Sequence, residues 1–367
     1  MFDEQLLQEL ASVEGTGPIL SVYLNVDPLQ HTPEAYKLIL RDLLKQVEDE
    51  ADEADIDAVK RFVDLEYDWT GRGLAFFSRQ ANGIWYAISR AVPVRSGVTV
   101  ARKPYISPLV ELDGLYGRFA VALVDQQSAR FFLFQMGELV EEQAYEGEEV
   151  RGARKGMGSS RVGMRGGGRG SKKKAEEIVH RNLKGAANAL AAFCRRHKPR
   201  RLLLAGAERN VANFKDVLPA SLDDRVVDTF TADMETGVSE IRQRAVDILQ
   251  ALGEERKKTM VETVITAAAK GGNGVIRLDE TLSAANQGRI QVLVVERDYH
   301  ESGYRCKGCG YLTTQALETC PFCGATFQEI PDAAEAVVTQ VVEKGGAVQV
   351  VDDGAMGEAR IGALLRY

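Results

Sequence analysis

The sequence predicts a three-part protein of mixed α/β (α+β) class. Three observations carry this: a length of 367 residues, which suits two or three domains; apolar patterns that switch between strand and helix periodicity; and two abrupt shifts in composition, one glycine- and arginine-rich, one holding four cysteines.

Residues 1–112 read as a mixed-sheet N-terminal domain. Residues 19–26 alternate like a strand and stop at Asp27 and Pro28. Leu38, Leu40, Leu43, Leu44 and Val47 then recur at helical spacing. The acidic run 48–57 is expected to be a solvated helix face and turn. Residues 73–78 and 84–88 are two more strands, joined through a turn at 81–83, and Pro104 and Pro108 punctuate the exit.

Residues 113–253 form the middle domain. Segments 119–125, 129–135 and 138–145 read as consecutive antiparallel strands. A long helix over 173–197 lines up Ile178, Leu183, Ala186, Leu190 and Phe193. A buried strand at 201–206, a helix at 211–218, a strand at 226–230 and a helix at 238–252 follow. Strands first, then alternating helix and strand, gives a mixed sheet.

Residues 254–367 form the third domain: a helix to Ala269, glycines at 271, 272 and 274, a strand at 275–278, a helix at 280–286 and a strand at 290–296. The cysteine segment, 304–326, interrupts here, before a helix at 333–343, a strand at 347–351 and an apolar end at 361–367.

Composition bounds the function. A hydrophobic content of 45% is ordinary for globular protein. No apolar run is long enough for a bilayer, and the acidic start at Met1 to Gln5 is no signal peptide, so the expected compartment is the cytoplasm. Five cysteines are too few for a disulfide scaffold. Cys194 follows Phe193 on the apolar side of the long helix and reads as a buried thiol.

The other four cysteines fall into two C-x-x-C pairs ten residues apart, each followed by glycine: Cys306 and Cys309 before Gly310, Cys320 and Cys323 before Gly324. Each pair can turn as a knuckle that aims two thiolates at one ion. Four thiolates complete a tetrahedral shell and leave no open position for water, so the expectation is one structural Zn2+ without a catalytic role.

The net charge of −7 hides an asymmetry. Residues 151–174 carry nine Lys or Arg, eight glycines and no acid, so the remaining chain sums to −16. The candidate RNA-binding residues are Arg151, Arg154, Lys155, Arg161, Arg165, Gly166, Gly167, Gly168, Arg169, Gly170, Lys172, Lys173 and Lys174. Cations would neutralise phosphates, and glycines would let the main chain approach a crowded ligand. The bland alternative is a solvated linker, but linkers rarely interrupt a domain between a strand and a long helix. No Walker-type G-x-x-x-x-G-K-[ST] occurs. The histidines His31, His180, His197 and His300 compose no Ser-His-Asp arrangement, and His300 stands near the cysteines as an unneeded metal neighbour. Trp69 and Trp85 read as packing residues.

The order of parts resembles the archaeo-eukaryotic release factor and Pelota superfamily, bacterial branch. A basic glycine-rich loop precedes a long helix in the middle domain. Residues 278–295 resemble that family's C-terminal helix-then-strand segment, and residues 361–367 are similar to its closing strand. Archaeal members carry a zinc ribbon at the same place. The resemblance implies an RNase H-like middle domain, an L7Ae-like third domain, and a tRNA-shaped monomer that enters the ribosomal A site against rRNA. It also implies docking of a translational GTPase, elongation factor Tu in a bacterium. The departures are specific. No Gly-Gly-Gln occurs; Gly168, Arg169 and Gly170 align at its place. Arg169 is a donor-only cation and cannot orient water as glutamine does. The family's stop-codon motifs are missing from residues 1–112.

The expected function is therefore a non-decoding A-site factor of ribosome rescue or hibernation, and no enzyme. The alternatives are a peptidyl-tRNA ester hydrolase working through the loop backbone, and a zinc-ribbon RNA-binding module unrelated to ribosomes.

Overall fold

A computed structural model describes residues 2–13, 17–68, 70–150 and 168–367. Among the described residues the fold is mixed α/β with four sheets, and the chain divides into two compact units, Tyr116–Gln250 and the combination of Met1–Leu115 with Ala251–Tyr367.

The N-terminal stretch contains α1 (Phe2–Ala11), β1 (Ile19–Asn25), α2 (Pro33–Gln46), α3 (Glu53–Arg61), β2 (Gly73–Arg79), β3 (Ile84–Arg90), β4 (Gly97–Ala101) and α4 (Ser107–Tyr116). The sheet runs β3-β2-β1-β4, all antiparallel. Thr32 caps α2 by accepting from the Ala35 N–H, with Pro33 in the first turn, where a missing N–H costs nothing. Leu20, Val22, Leu24, Leu40, Leu44, Val59 and Phe76 close the core, with Trp85 packed against it.

The structure adds elements that hydrophobic pattern missed here: α1, α3, β4 and α4. The acidic run is in part the start of α3. Asp52 caps it, and Asp55 is buried rather than solvated, accepting from the Ser78 hydroxyl at 2.6 Å and the Gln80 N–H at 2.7 Å. Pro108 stands in the first turn of α4, so it opens a helix instead of marking a loop.

The second unit contains β5 (Arg118–Val124), β6 (Ser128–Gln135), β7 (Glu138–Glu146), α5 (Gly168–His197), β8 (Arg201–Gly206), α6 (Glu208–Lys215), α7 (Ala220–Asp223) and β9 (Val226–Phe230). The sheet order is β7-β6-β5-β8-β9. β5, β6 and β7 pair antiparallel, and β8 and β9 extend the sheet in parallel. Leu183, Ala186, Ala187, Leu190 and Phe193 of α5 pack on Ala120, Ala122, Phe131, Leu133, Leu202 and Leu204.

The chain then enters α8 (Val238–Ala269), one continuous helix where the sequence suggested two. Gly253, between the two expected helices, provides room: a Cβ on it would stand 2.3 Å from the Leu115 side chain. The helical hydrogen bonds outweigh glycine's propensity cost of roughly 1 kcal/mol.

Last come β10 (Gly274–Ile276), α9 (Leu278–Asn286), β11 (Ile290–Glu296), β12 (Gly303–Cys306), β13 (Leu312–Thr313), β14 (Phe327–Ile330), α10 (Ala333–Glu343), β15 (Ala347–Val351) and β16 (Ile361–Leu365). One sheet runs β10-β16-β11-β15; the ribbon sheet runs β13-β12-β14.

Polar bonds join the first and last thirds of the chain. Glu335 of α10 accepts from the Ile106 N–H at 2.8 Å and from the Ser107 hydroxyl. Its carboxyl sits deep although the residue keeps some exposure, and burial pushes its pKa up to about 8. Glu111 receives Lys257 at 3.0 Å and Arg297 at 2.5 Å. Burial would pull Lys257 down, but Glu111 and Glu254 hold it above its ordinary value. Among the described residues no helix is long and apolar enough to cross a membrane.

Candidate nucleic-acid interface and metal centre

Most of the basic stretch lies outside the described residues: Arg151, Arg154, Lys155, Arg161, Arg165, Gly166 and Gly167. Gly168, Arg169, Gly170 and Lys172 fall in the opening turns of α5, upstream of the helix start expected from sequence; Lys173 and Lys174 are exposed. α5 opens with cations and has no acid in its first turn. A helix N-terminus already carries about half a positive charge, so cations there are disfavoured by roughly 0.3–1 kcal/mol each. A helix start leaves its first N–H groups without intrahelical partners, so an anion is favoured at this end.

The root of this segment is built firmly. Asn182 of α5 is buried, 4% exposed. Its Nδ2 donates to the carbonyls of Glu148 at 2.9 Å and Gln126 at 3.2 Å, and its Oδ1 accepts from the Glu148 N–H at 2.8 Å. Gly147 fits under it because a Cβ would stand 2.4 Å from the Asn182 Oδ1. Tyr145 of β7 meets α5 at Gly185, where a Cβ would come within 2.0 Å of the phenol oxygen. Arg181 adds an exposed ion pair to Glu148 at 2.8 Å. The end of β7 and the residues after it are thus locked to the middle of α5, about four turns past its start. Sequence reading missed Asn182; a lone asparagine in a helix sends no signal until its partners, 34 to 56 residues away, are brought beside it.

The four cysteines converge. Their Sγ atoms all lie within 4.8 Å of one another, with Cys306 to Cys323 at 3.4 Å and Cys309 to Cys320 at 3.6 Å. A tetrahedral metal with bonds of about 2.3 Å needs sulfurs roughly 3.8 Å apart. The two knuckles repeat one pattern: Gly310 N–H to the Cys306 carbonyl and Gly324 N–H to the Cys320 carbonyl, with φ of 74° and 75° at the two glycines. That left-handed backbone is the reason each pair ends in glycine. Backbone N–H groups of Cys309 and Gly308 directed at Cys306 lower its thiol to about 6. For Cys309 the Tyr311 N–H pulls the same way, but desolvation and the neighbouring sulfurs push its thiol up to about 12. Four sulfurs this close cannot all ionise unless a cation sits among them. The set fits a metal ion.

His300 plays no part there. Its Nδ1 lies 2.6 Å from Asp332, which raises its pKa, and Asp332 also caps α10. His180 is exposed on α5, while His197 pairs with Glu141 at 3.1 Å. Cys194 is buried, and desolvation pushes its thiol up to about 11, as for an inert packing group. Asn286 brackets the ribbon by bonding both the carbonyl and the N–H of Leu312, at 2.7 and 3.0 Å.

Residues 104–250, the stretch that contains the clamped root and α5, match bacterial archaeo-eukaryotic release factor family 10. This segment belongs to the bacterial branch of the release-factor superfamily. No curated protein has a significantly similar sequence. Similar solved structures include Archaeoglobus fulgidus Pelota, 14% identical over 98% of this chain and 91% of that one, TM-score 0.35. Ribosome-bound archaeal Pelota, from a complex with ABCE1, is 14% identical over 99% and 94%, TM-score 0.40. Dom34 of S. cerevisiae, a translation termination-like factor, is 10% identical over 82% and 81%, TM-score 0.39.

Proposed function

We propose that this chain is a ribosome-binding translation factor of release-factor type that enters the A site, does not decode stop codons, and acts in rescue or hibernation. The observation that carries the proposal is the basic segment of 151–174, rooted on a buried Asn182 clamp within a release-factor-family stretch that lacks Gly-Gly-Gln. A segment with nine cations and no acid suits rRNA phosphates. Arg169 stands where the family's glutamine would be, so binding without ester hydrolysis is the reading taken. RNase H-like and L7Ae-like labels for the middle and last parts, a monomeric cytoplasmic chain, and docking of elongation factor Tu belong to the same proposal.

The cysteine cluster is proposed to hold one structural zinc. Cys306, Cys309, Cys320 and Cys323 would supply four thiolates and leave no site for substrate. Metal analysis of the purified protein is expected to return one zinc per chain.

The test is co-sedimentation with 70S ribosomes across a salt series. Replacing Arg165, Arg169, Lys172, Lys173 and Lys174 with Ala should flatten the log–log salt slope by somewhat under one unit per lost phosphate contact. An unchanged slope removes the segment from the interface. Release of peptide from ribosome-bound peptidyl-tRNA, lost on deleting residues 157–170, would make the chain a hydrolase instead.

A further inference from the structure

The second unit carries another basic surface, formed by residues outside the 151–174 stretch. A groove of about 650 Å³ lies at the C-terminal end of α5 and is lined by Arg195, Lys198, Arg200 and Arg225 together with Cys194, Pro199 and Leu222. Four cations line it and no carboxylate does. They come from three places: the last turn of α5, the turn into β8, and the turn between α7 and β9.

Helix termini alone explain part of this. Cations are favoured at a helix C-terminus, so Arg195 needs no ligand to account for it. Arg200 and Arg225 are not on that helix; Arg225 leans into the groove by donating to the Pro199 carbonyl at 3.5 Å. Arg196 and His197 follow the ordinary pattern of pairing with an acid, at Glu141. Arg195 and Lys198 do not: among the described residues neither has a carboxylate within ion-pair distance. Asp223 and Asp224 stand next to Arg225 in sequence but do not line the groove.

Lys198, one of the four cations, also holds a particular backbone. It stops α5 in a left-handed conformation, φ 49°, with its N–H on the Cys194 carbonyl. Glycine is the residue that fills such a stop without strain. A lysine here keeps backbone strain and adds a cation to the groove, the pattern expected where charge matters more than stability.

We infer that this groove binds the phosphate backbone of RNA. The lining holds cations and no aromatic ring, which suits backbone contact and leaves no platform for stacking bases. From Lys174 to Arg195 the helix rises roughly 32 Å, at about 1.5 Å per residue. One helix then presents two separate basic ends to a long polyanion. The inference deepens the ribosome-binding proposal by naming a second contact, and it can fail independently of it.

The experiment uses the full chain with two probes, 70S ribosomes and a short blunt RNA duplex, each over a salt series. Arg195→Ala with Lys198→Ala removes two cations whose side chains make no hydrogen bond or ion pair among the described residues, so folding is not at stake. The salt slope on the duplex should fall by about 0.9 per lost contact, close to two units in all. Arg195→Lys should retain binding. Lys198→Gly separates charge from structure: thermal stability should rise by about 2 °C as the left-handed strain is removed, while RNA affinity falls. An unchanged duplex slope in the double variant overturns the inference. So does loss of binding to an acidic protein ligand such as polyglutamate with duplex binding intact, because the groove would then read carboxylates. If the wild type binds the duplex but never the ribosome, the ribosome proposal fails and the groove stands.

Discussion

The ribbon at 303–330 and the root of the basic segment are both short polar structures held against a helix, yet they are held by opposite means. The root is closed by neutral hydrogen bonds from one buried amide, Asn182, to backbone groups at Gln126 and Glu148. The ribbon contributes two buried and two exposed cysteines whose sulfurs crowd to 3.4 and 3.6 Å. The first arrangement is complete within the protein. The second calls for a cation to finish it. The Asn182 clamp should therefore keep its geometry whatever happens to the metal, whereas the ribbon should not.

Stripping the metal breaks the symmetry of that comparison most. Structural zinc in small sites contributes about 10 kcal/mol or more of apparent binding energy. Chelation, or Cys306→Ser, should collapse hydrogen-exchange protection across 303–330. Ribosome or duplex binding through the second unit should survive; parallel loss of both would show that the two regions are not independent.

Glu335 tests a case between the two, a buried carboxyl joined to backbone. Its pKa is raised from 4.5 to about 8 by burial. The folded chain therefore holds a proton that the unfolded chain releases within that window. Stability from this group is full below about 4.5 and is lost as pH rises toward 8, by up to a few kcal/mol. Thermal melts between pH 5 and 8 should show wild type losing stability that Glu335→Gln does not lose. Parallel curves would mean that the carboxyl is charged in the fold.

The smallest effect sharpens the root. Asn182→Ala leaves the Gln126 and Glu148 carbonyls and one N–H without their partner, at about 1–3 kcal/mol. Exchange at the Glu148 amide should accelerate, and ribosome affinity should drop with no change in salt slope, because position is lost and charge is not. A changed slope would assign Asn182 a role in the charge contact itself.

How much of this was legible in the sequence follows from range. The cysteine pattern was readable because ligands two residues apart, with glycine after each pair, define a knuckle locally. β5 to β7, β8, β11 and α10 were readable because periodicity is local too. The buried bonds of Glu335 were not: Ser107 and Ile106 lie 228 and 229 residues away. Nor was Asn182, nor the groove at Lys198, whose four cations meet only after β8 and β9 pair. α4 was hidden by Pro108, which breaks a helix in its interior but opens one in its first turn.

The Asn182 clamp has a consequence for how such a protein can change. Its bonds all go to main-chain groups at Gln126 and Glu148, outside residues 151–167. Substitutions within that stretch leave every one of those bonds in place. The clamp itself therefore places no demand on which residues occupy 151–167. Replacing residues 151–167 with a cassette of different charge should thus leave exchange protection at the Glu148 amide unchanged.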